Sequence, residues 1–443
     1  MQIQITYRQI ISLSLPLMAT SLFNNVINLI GVAFMGRVGE TELAAIGIAA
    51  LVFILLTMIP YGFSVGFQII IARRAAEQEY TSIGKIFNNN LVFMCAVGIL
   101  LFLFLRFLAP IALEPFFSSQ AIYDAGMSYL HYRSFEIFLA CFAFTLIAFY
   151  TSIGDNKIIG ISALVMLLVN IFFNYSLVFG ENGFPEMGIE GAGLASLISS
   201  STACLLNLGY LIFSKYRKQF GLFNFRKFEW LQVQSGLKLS GPIVLQHFLS
   251  TGTWAIFFLM IEKMGIEALA ASNVAKEVYM ILGVTTWGFA NATNSLVSNL
   301  LGQGRHDEVF ELVKKVIWVS LVFSFALCAA ILIFPSYFVE IFTNDEKIIQ
   351  EAIGPVRIAG VCLVMMAVSS ILFRAVTGTG ATRYSLLLEF ITLIIYMVYV
   401  IILIPVLNVN LTIAWTSEFI YWLALAWLCW NYLKGGKWKT YKV

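Results

Sequence analysis

The stretch Leu13–Ala45 reads LSLPLMATSLFNNVINLIGVAFMGRVGETELAA, and it is echoed in Leu239–Ala271, which reads LSGPIVLQHFLSTGTWAIFFLMIEKMGIEALAA. The displacement is 226 positions, from Leu13 to Leu239, and the alignment needs no gap. The same displacement pairs Pro16 with Pro242, Gly39 with Gly265, Ala49 with Ala275, Gly62 with Gly288, Glu114 with Glu340, Thr151 with Thr377 and Gly154 with Gly380. One register held over such a distance indicates two copies of one unit.

The composition is that of a membrane protein. Hydrophobic residues make up 60% of the 443 residues and charged residues only 12%, whereas soluble domains carry about 25% charged residues. The mean hydropathy of +0.87 leaves no room for a large water-soluble domain. Because a bilayer forces each spanning segment to satisfy its own backbone hydrogen bonds, we expect an all-α polytopic membrane protein.

Twelve apolar runs are long enough to cross a bilayer, which needs about 20 residues each. They cover roughly 9–36, 45–72, 86–110, 127–150, 158–180, 191–213, 238–262, 269–300, 313–335, 352–376, 384–406 and 411–433. Six belong to each copy. The predicted domains are an N-terminal six-helix lobe at 1–214, a cytoplasmic linker at 215–238 and a C-terminal six-helix lobe at 239–443.

Basic residues concentrate on one side of the predicted spans, for example Arg73, Arg74, Lys215, Arg305 and Lys315. By the positive-inside rule both termini are expected in the cytoplasm, so the two copies enter the membrane in the same orientation. Two such copies predict two bundles related by a pseudo-two-fold axis along the membrane normal. The linker mixes aromatic with basic residues, which fits either an interfacial amphipathic segment or a plain loop.

Several segments resemble the multidrug and toxic compound extrusion (MATE) family over essentially the whole chain. They are LSLP at 13–16, NLIGVAFMGRVGETELAAIG at 28–47, TSIGDN at 151–156, NIFFNYSLVFG at 170–180, GIEGAGLAS at 188–196, LGQG at 301–304 and TGTGAT at 377–382. The resemblance implies a cation-coupled antiporter that exports drugs or metabolites through a central cavity between two lobes. The wider superfamily includes lipid-linked oligosaccharide flippases of similar topology, which are the alternative function.

The chain lacks the acidic residues that many MATE relatives use for cations. Gly31 and Asn174 stand where the first and fifth spans of such relatives carry Asp, Ser250 stands where some carry a seventh-span Glu, and Met366 stands for a tenth-span Asp. The resemblance implies H+ or Na+ as the coupling ion. Because these acids are missing, the choice between the two ions cannot be carried over from the resemblance.

Glu136 is the predicted replacement for these acids. A charged side chain inside the bilayer is costly, by at least about 2.5 kcal/mol, and usually faces a partner or a wet cavity. Carboxamides at similar depth could solvate a protonatable carboxylate or coordinate a cation, and these are Asn25, Asn28, Asn170 and Asn174. The competing interpretation is a structural ion pair with Arg133, three residues earlier on the same helix.

The adjacent Lys276 and Glu277 predict a substrate cavity in the second copy. Their side chains leave the helix about 100° apart, so we expect that they do not simply neutralise each other. Gln246, His247 and Asn273 complete this predicted cavity. The competing interpretation pairs Lys276 and Glu277 with other helices, for example through Glu418.

Arg374 and Glu389 flank a short connection at comparable depth, and they predict a structural or gating ion pair.

No enzyme motif is present. The sequence has no P-loop, no HExxH and no metal-spaced cluster among its three histidines and six cysteines, so we expect neither an enzyme nor a cofactor nor a metal site. A secondary active antiporter that works by alternating access is predicted, in the cytoplasmic membrane of a bacterium. Its expected partners are a small-molecule substrate and the lipid bilayer, without nucleic acid and without a second subunit.

Overall fold

The computed structural model describes residues 4–117, 119–225 and 228–441, and all of the regular structure in these ranges is helical. Its contacts divide the chain into two compact units. The first is Ala19–Ser240, and the second combines the N-terminal segment through Met18 with Gly241–Val443. Each unit has its own buried apolar core.

Twelve long helices within the described ranges overlap the twelve predicted spans, so the expected all-α fold with six spans per copy is confirmed. The helices of the first half are α1 (Tyr7–Val38), α2 (Glu40–Ala76), α3 (Tyr80–Leu103), α4 (Gln120–Ile153), α5 (Lys157–Phe179) and α6 (Gly188–Phe213). Those of the second half are α7 (Trp230–Glu262), α8 (Ile266–Gly302), α9 (Val309–Ile333), α10 (Glu346–Gly378), α11 (Thr382–Ile401) and α12 (Ser417–Lys434).

Eleven of these helices, within the described residues, are apolar enough to cross a membrane by length and composition. The exception is α8, where Lys276, Glu277 and several Asn, Ser and Thr residues interrupt the apolar pattern. Its 37 residues nevertheless exceed the length that a bilayer needs.

The fourth helix of each repeat is the central one. In the first unit α4 packs against α2, α3 and α6, and in the second unit α10 packs against α8, α9 and α12. These two are also the most buried of the eleven apolar helices, with 61% and 67% of their most apolar stretch buried. The buried polar groups of these two helices, such as Glu136 on α4 and Ser369 on α10, therefore lie inside their units.

The repeat is visible in the turns that follow these central helices. Gly154 ends α4 with φ of 78°, and its counterpart Gly380 comes after α10 with φ of 90°. Residues other than glycine rarely adopt this left-handed conformation. The pairing of Gly154 with Gly380 in sequence thus corresponds to the same backbone turn in both units.

The boundaries between the units fall inside helices. The contacts divide α1 after Met18 and α7 after Ser240, whereas the predicted boundaries lay at 214 and 238. The start of α1 packs with the second unit because the Lys315 ammonium donates to the Ile5 carbonyl at 3.1 Å. A side chain on Gly288 would also collide with Met18, since a Cβ there would lie 2.1 Å from the Met18 Cγ.

The segment between α6 and α7 is tied to α3 by two asparagines. The Asn88 Nδ2 donates to the carbonyls of Gly221 and Asn224, both at 3.3 Å, and the Phe223 N–H donates to the Asn88 Oδ1 at 2.8 Å. The Asn89 Oδ1 accepts from the Glu229 N–H at 2.9 Å. Two residues of the predicted linker, Arg226 and Lys227, lie outside the described residues.

The linker contains a short helix, Tyr216–Phe220, with Phe220 buried against the first unit. Its later aromatic residues Phe225, Phe228 and Trp230 are exposed. An interfacial amphipathic segment and a plain loop remain the two interpretations of this part of the linker.

We expect Asn88→Ala to lower the free energy of unfolding by about 1–3 kcal/mol, because it removes the three hydrogen bonds between the buried Asn88 side chain and the linker backbone. Thermal unfolding of the purified protein, followed by circular dichroism, measures the change. Gln219→Ala is the matched control, because Gln219 is exposed in the short linker helix. Equal melting temperatures for the two variants would show that Asn88 does not hold the linker.

Candidate functional site

Glu136 is buried in α4 and neutralised within the first unit. Its Oε2 lies 2.5 Å from the Arg133 Nη1, and its Oε1 accepts a hydrogen bond from the Ser200 hydroxyl at 2.7 Å. The Arg133 guanidinium stacks 3.6 Å above the centre of the Phe53 ring. The geometry is that of the structural ion pair that the sequence left as the competing interpretation.

The four asparagines predicted beside Glu136 have different environments. Asn170 and Asn174 of α5 are fully buried, and the Asn170 Nδ2 donates to the Ser199 hydroxyl at 3.2 Å. Because Ser199 adjoins Ser200, α6 connects Asn170 to Glu136. Asn25 is half-buried and Asn28 is exposed.

Lys276 and Glu277 pair with each other, and the expectation that they would not is wrong. The Lys276 Nζ lies 3.2 Å from the Glu277 Oε1, with about a third of each side chain exposed. The long Lys side chain can turn along the helix towards its neighbour, although their Cα–Cβ bonds diverge. The Lys276 ammonium also donates to the Asn273 Oδ1 at 3.4 Å.

Glu389 of α11 is the most buried carboxylate of the second unit among the described residues, with 1% of its surface exposed. Its Oε1 accepts hydrogen bonds from the Ser250 hydroxyl at 2.5 Å and from the Tyr421 hydroxyl at 2.8 Å. Its Oε2 is buried without a hydrogen-bond partner among the described residues. Two neutral donors therefore hold one oxygen and leave the other open.

The predicted residues Gln246, His247 and Arg374 belong to the surroundings of Glu389. Gln246 and His247 lie one helical turn before Ser250 on α7, with Gln246 buried and His247 half-buried. The predicted ion pair between Arg374 and Glu389 is not among the ion pairs of the described residues. Gln246 and His247 thus lie on the helix that supplies Ser250 to Glu389, while Asn273 contacts Lys276.

Glu418 of α12 is a second buried carboxylate, with an aromatic environment. Its Oε1 accepts from the Trp254 indole N–H at 3.2 Å. Next to it, the Trp422 indole N–H donates to the Tyr279 hydroxyl at 2.6 Å. From the sequence, Glu418 was considered only as a partner for Lys276 or Glu277. The missed signal was the spacing of Glu418, Tyr421 and Trp422, which share one helical face.

The chain is similar to known transporters over most of its length. It is 25% identical over 395 residues to the probable multidrug resistance protein NorM of Thermotoga maritima, covering 87% of this chain and 83% of that protein. It is 22% identical over 387 residues to the protein of the same name from Idiomarina loihiensis, covering 87% and 84%.

Solved structures share the fold. A multidrug resistance MATE family transporter in an outward-facing conformation matches with a TM-score of 0.86, at 19% identity, over 97% of this chain and 95% of that one. A transporter of the MOP superfamily from Pyrococcus furiosus matches with a TM-score of 0.90, at the same identity and coverage. A model of the MatE family matches residues 16–176 and 242–402, one match in each copy. The resemblance seen in the sequence is therefore confirmed: the chain belongs to the MatE family of multi-pass membrane transporters.

Proposed function

We propose that this protein exports drugs or other amphipathic organic compounds across the cytoplasmic membrane of a bacterium in exchange for protons. We further propose that Glu389 carries the exchanged proton. The observation that carries the proposal is the buried Glu389 carboxylate, which neutral hydroxyls hold on one oxygen only. The names of the NorM relatives support the class of substrate. The same names give no support to the alternative of a lipid-linked oligosaccharide flippase.

Glu389 suits proton exchange better than Glu136 does. A proton on Glu136 would leave the buried Arg133 guanidinium without its counter-ion, which is strongly unfavourable inside a bundle. A proton on Glu389 instead removes a buried charge whose hydrogen-bonding partners are neutral. We therefore propose Glu389, and not Glu136, as the residue that carries the coupled proton. We assign Glu136 a structural role.

The position of Glu389 agrees with the departures from the family pattern. Ser250 stands where some relatives carry a glutamate, and it is Ser250 that donates to Glu389. A carboxylate from α11 thus reaches the neighbourhood that an α7 carboxylate occupies in those relatives. A single carboxylate with two hydroxyl donors also offers little charge for a sodium ion, which favours H+ as the coupling ion.

Coupling follows from linkage between the proton and the substrate. In alternating access, the two must weaken each other's binding or gate each other's release. Glu389 would be protonated in the outward-facing conformation and ionised in the inward-facing conformation. Proton binding would then accompany substrate release outside, and proton release would accompany substrate binding inside.

We expect Glu389→Gln to abolish the export of a fluorescent cationic dye that a pH gradient drives in reconstituted vesicles. Glutamine keeps the shape and accepts the same hydrogen bonds, but it cannot exchange a proton. Glu351→Gln is the matched control, because Glu351 is an exposed glutamate of the same unit. Dye export by Glu389→Gln at the wild-type rate would exclude Glu389 as the coupling residue. Dye export by the wild type that only a sodium gradient drives would exclude protons as the coupling ion.

We expect Glu136→Gln to destabilise the protein by about 3–5 kcal/mol, because it leaves a buried guanidinium unpaired. The double variant Arg133→Gln with Glu136→Gln should recover most of this loss, since it removes both charges. Thermal unfolding of the wild type, the single variants Arg133→Gln and Glu136→Gln and the double variant measures the coupling between the two residues. A stable Glu136→Gln variant that has lost dye export would instead restore Glu136 as the coupling residue.

A further inference from the structure

A cavity of about 440 Å³ lies in the first unit, and Glu136 is not part of its lining. Its lining includes Arg106, which follows α3, Asp124 and His131 of α4, and Glu190 in the first turn of α6. Its volume falls within the roughly 300–1,000 Å³ range of small-molecule sites. Since α4 and α6 both begin at this end of the unit, it lies on the side predicted to face outwards.

Charges of both signs line this cavity without neutralising each other. The Arg106 guanidinium contacts the His131 Nδ1. Asp124 accepts from the Gln120 amide at 2.9 Å. Among the described residues, neither Asp124 nor Glu190 forms an ion pair with Arg106.

Arg106 and Asp124 have defined places in this cavity. Asp124 and His131 are seven residues apart on α4, so they share one face about 10 Å apart along the helix. Arg106 is fixed at the His131 end. A ligand that satisfies both ends must therefore carry an anionic group and a cationic group at separate positions.

The surface beside Arg106 is apolar. Leu103, Phe107, Leu108 and Ile111 are each between 42% and 73% exposed. In a membrane protein such side chains contact acyl chains. A ligand held at Arg106 can thus extend an apolar tail along this surface.

We propose that the cavity binds the headgroup of a zwitterionic phospholipid with a primary ammonium, of the phosphatidylethanolamine class. Arg106 binds the phosphate, as guanidinium groups do through paired N–H donors, and the Ser128 hydroxyl, which also lines the cavity, donates to it. The ammonium donates to the carboxylates of Asp124 and Glu190. The acyl chains lie on the exposed apolar residues beside Arg106.

Two other lipid classes fit less well. A phosphatidylglycerol headgroup has no cation for Asp124 and Glu190, so those carboxylates would face a negative ligand. A phosphatidylcholine headgroup has a cation, but its quaternary ammonium has no N–H to donate.

Native mass spectrometry of the full-length protein in detergent tests the proposal by titration with phosphatidylethanolamine, phosphatidylcholine and phosphatidylglycerol. We expect the wild type to bind phosphatidylethanolamine about tenfold more tightly than the other two. Arg106→Gln should weaken that binding about tenfold, and Arg106→Lys should retain part of it. Arg357→Gln is the matched control, because Arg357 is an exposed arginine of the second unit.

The double variant Asp124→Asn with Glu190→Gln separates the two ends of the site. It should lose the preference for phosphatidylethanolamine while phosphatidylglycerol binds as well as before or better. Equal binding of the three lipids by the wild type would overturn the proposal, as would unchanged phosphatidylethanolamine binding in Arg106→Gln. Displacement of the lipid by an equal concentration of free phosphoethanolamine would assign the cavity to a soluble zwitterion.

Discussion

A carboxylate that lies between apolar helices needs its charge compensated, and this need organises both units. Desolvation of an ionised group costs several kcal/mol unless a partner or hydrogen bonds replace the lost water. The chain compensates its buried carboxylates in different ways: a guanidinium for Glu136, two hydroxyls for Glu389 and an indole for Glu418. Only the first of these partners is a fixed charge in direct contact. The buried acids are therefore chemically unequal, and the difference lies in their partners.

The second unit concentrates its polar chemistry on one set of helices. α12 supplies Tyr421 to Glu389 and carries Glu418, while α7 supplies Ser250 to the first acid and Trp254 to the second. Both acids thus depend on how α7 and α12 are placed within the unit. A shift of either helix would change the hydrogen bonds of both carboxylates together.

The sequence was sufficient for the architecture because its signals are long and repeated. Twelve apolar runs and a single repeat register predicted the helices, and the spacing of Arg133 and Glu136 on one helix supplied their pairing as an alternative. Contacts between distant segments could not be predicted in this way. Ser250 and Glu389 are 139 residues apart, and nothing local links Asn88 to the carbonyl of Gly221. The error at Lys276 and Glu277 had another cause, because backbone directions were considered without the length and flexibility of the lysine side chain.

The start of α1 has a consequence for any attempt to cut the chain in two. Residues 4–18 pack with the second unit, where the Lys315 ammonium donates to the Ile5 carbonyl and Gly288 leaves room for Met18. A gene fragment that encodes only the second repeat would lack this piece of its own core. The ancestral duplication therefore no longer marks where two self-sufficient proteins could be separated, and co-expressed fragments would have to exchange their first helical turns to assemble.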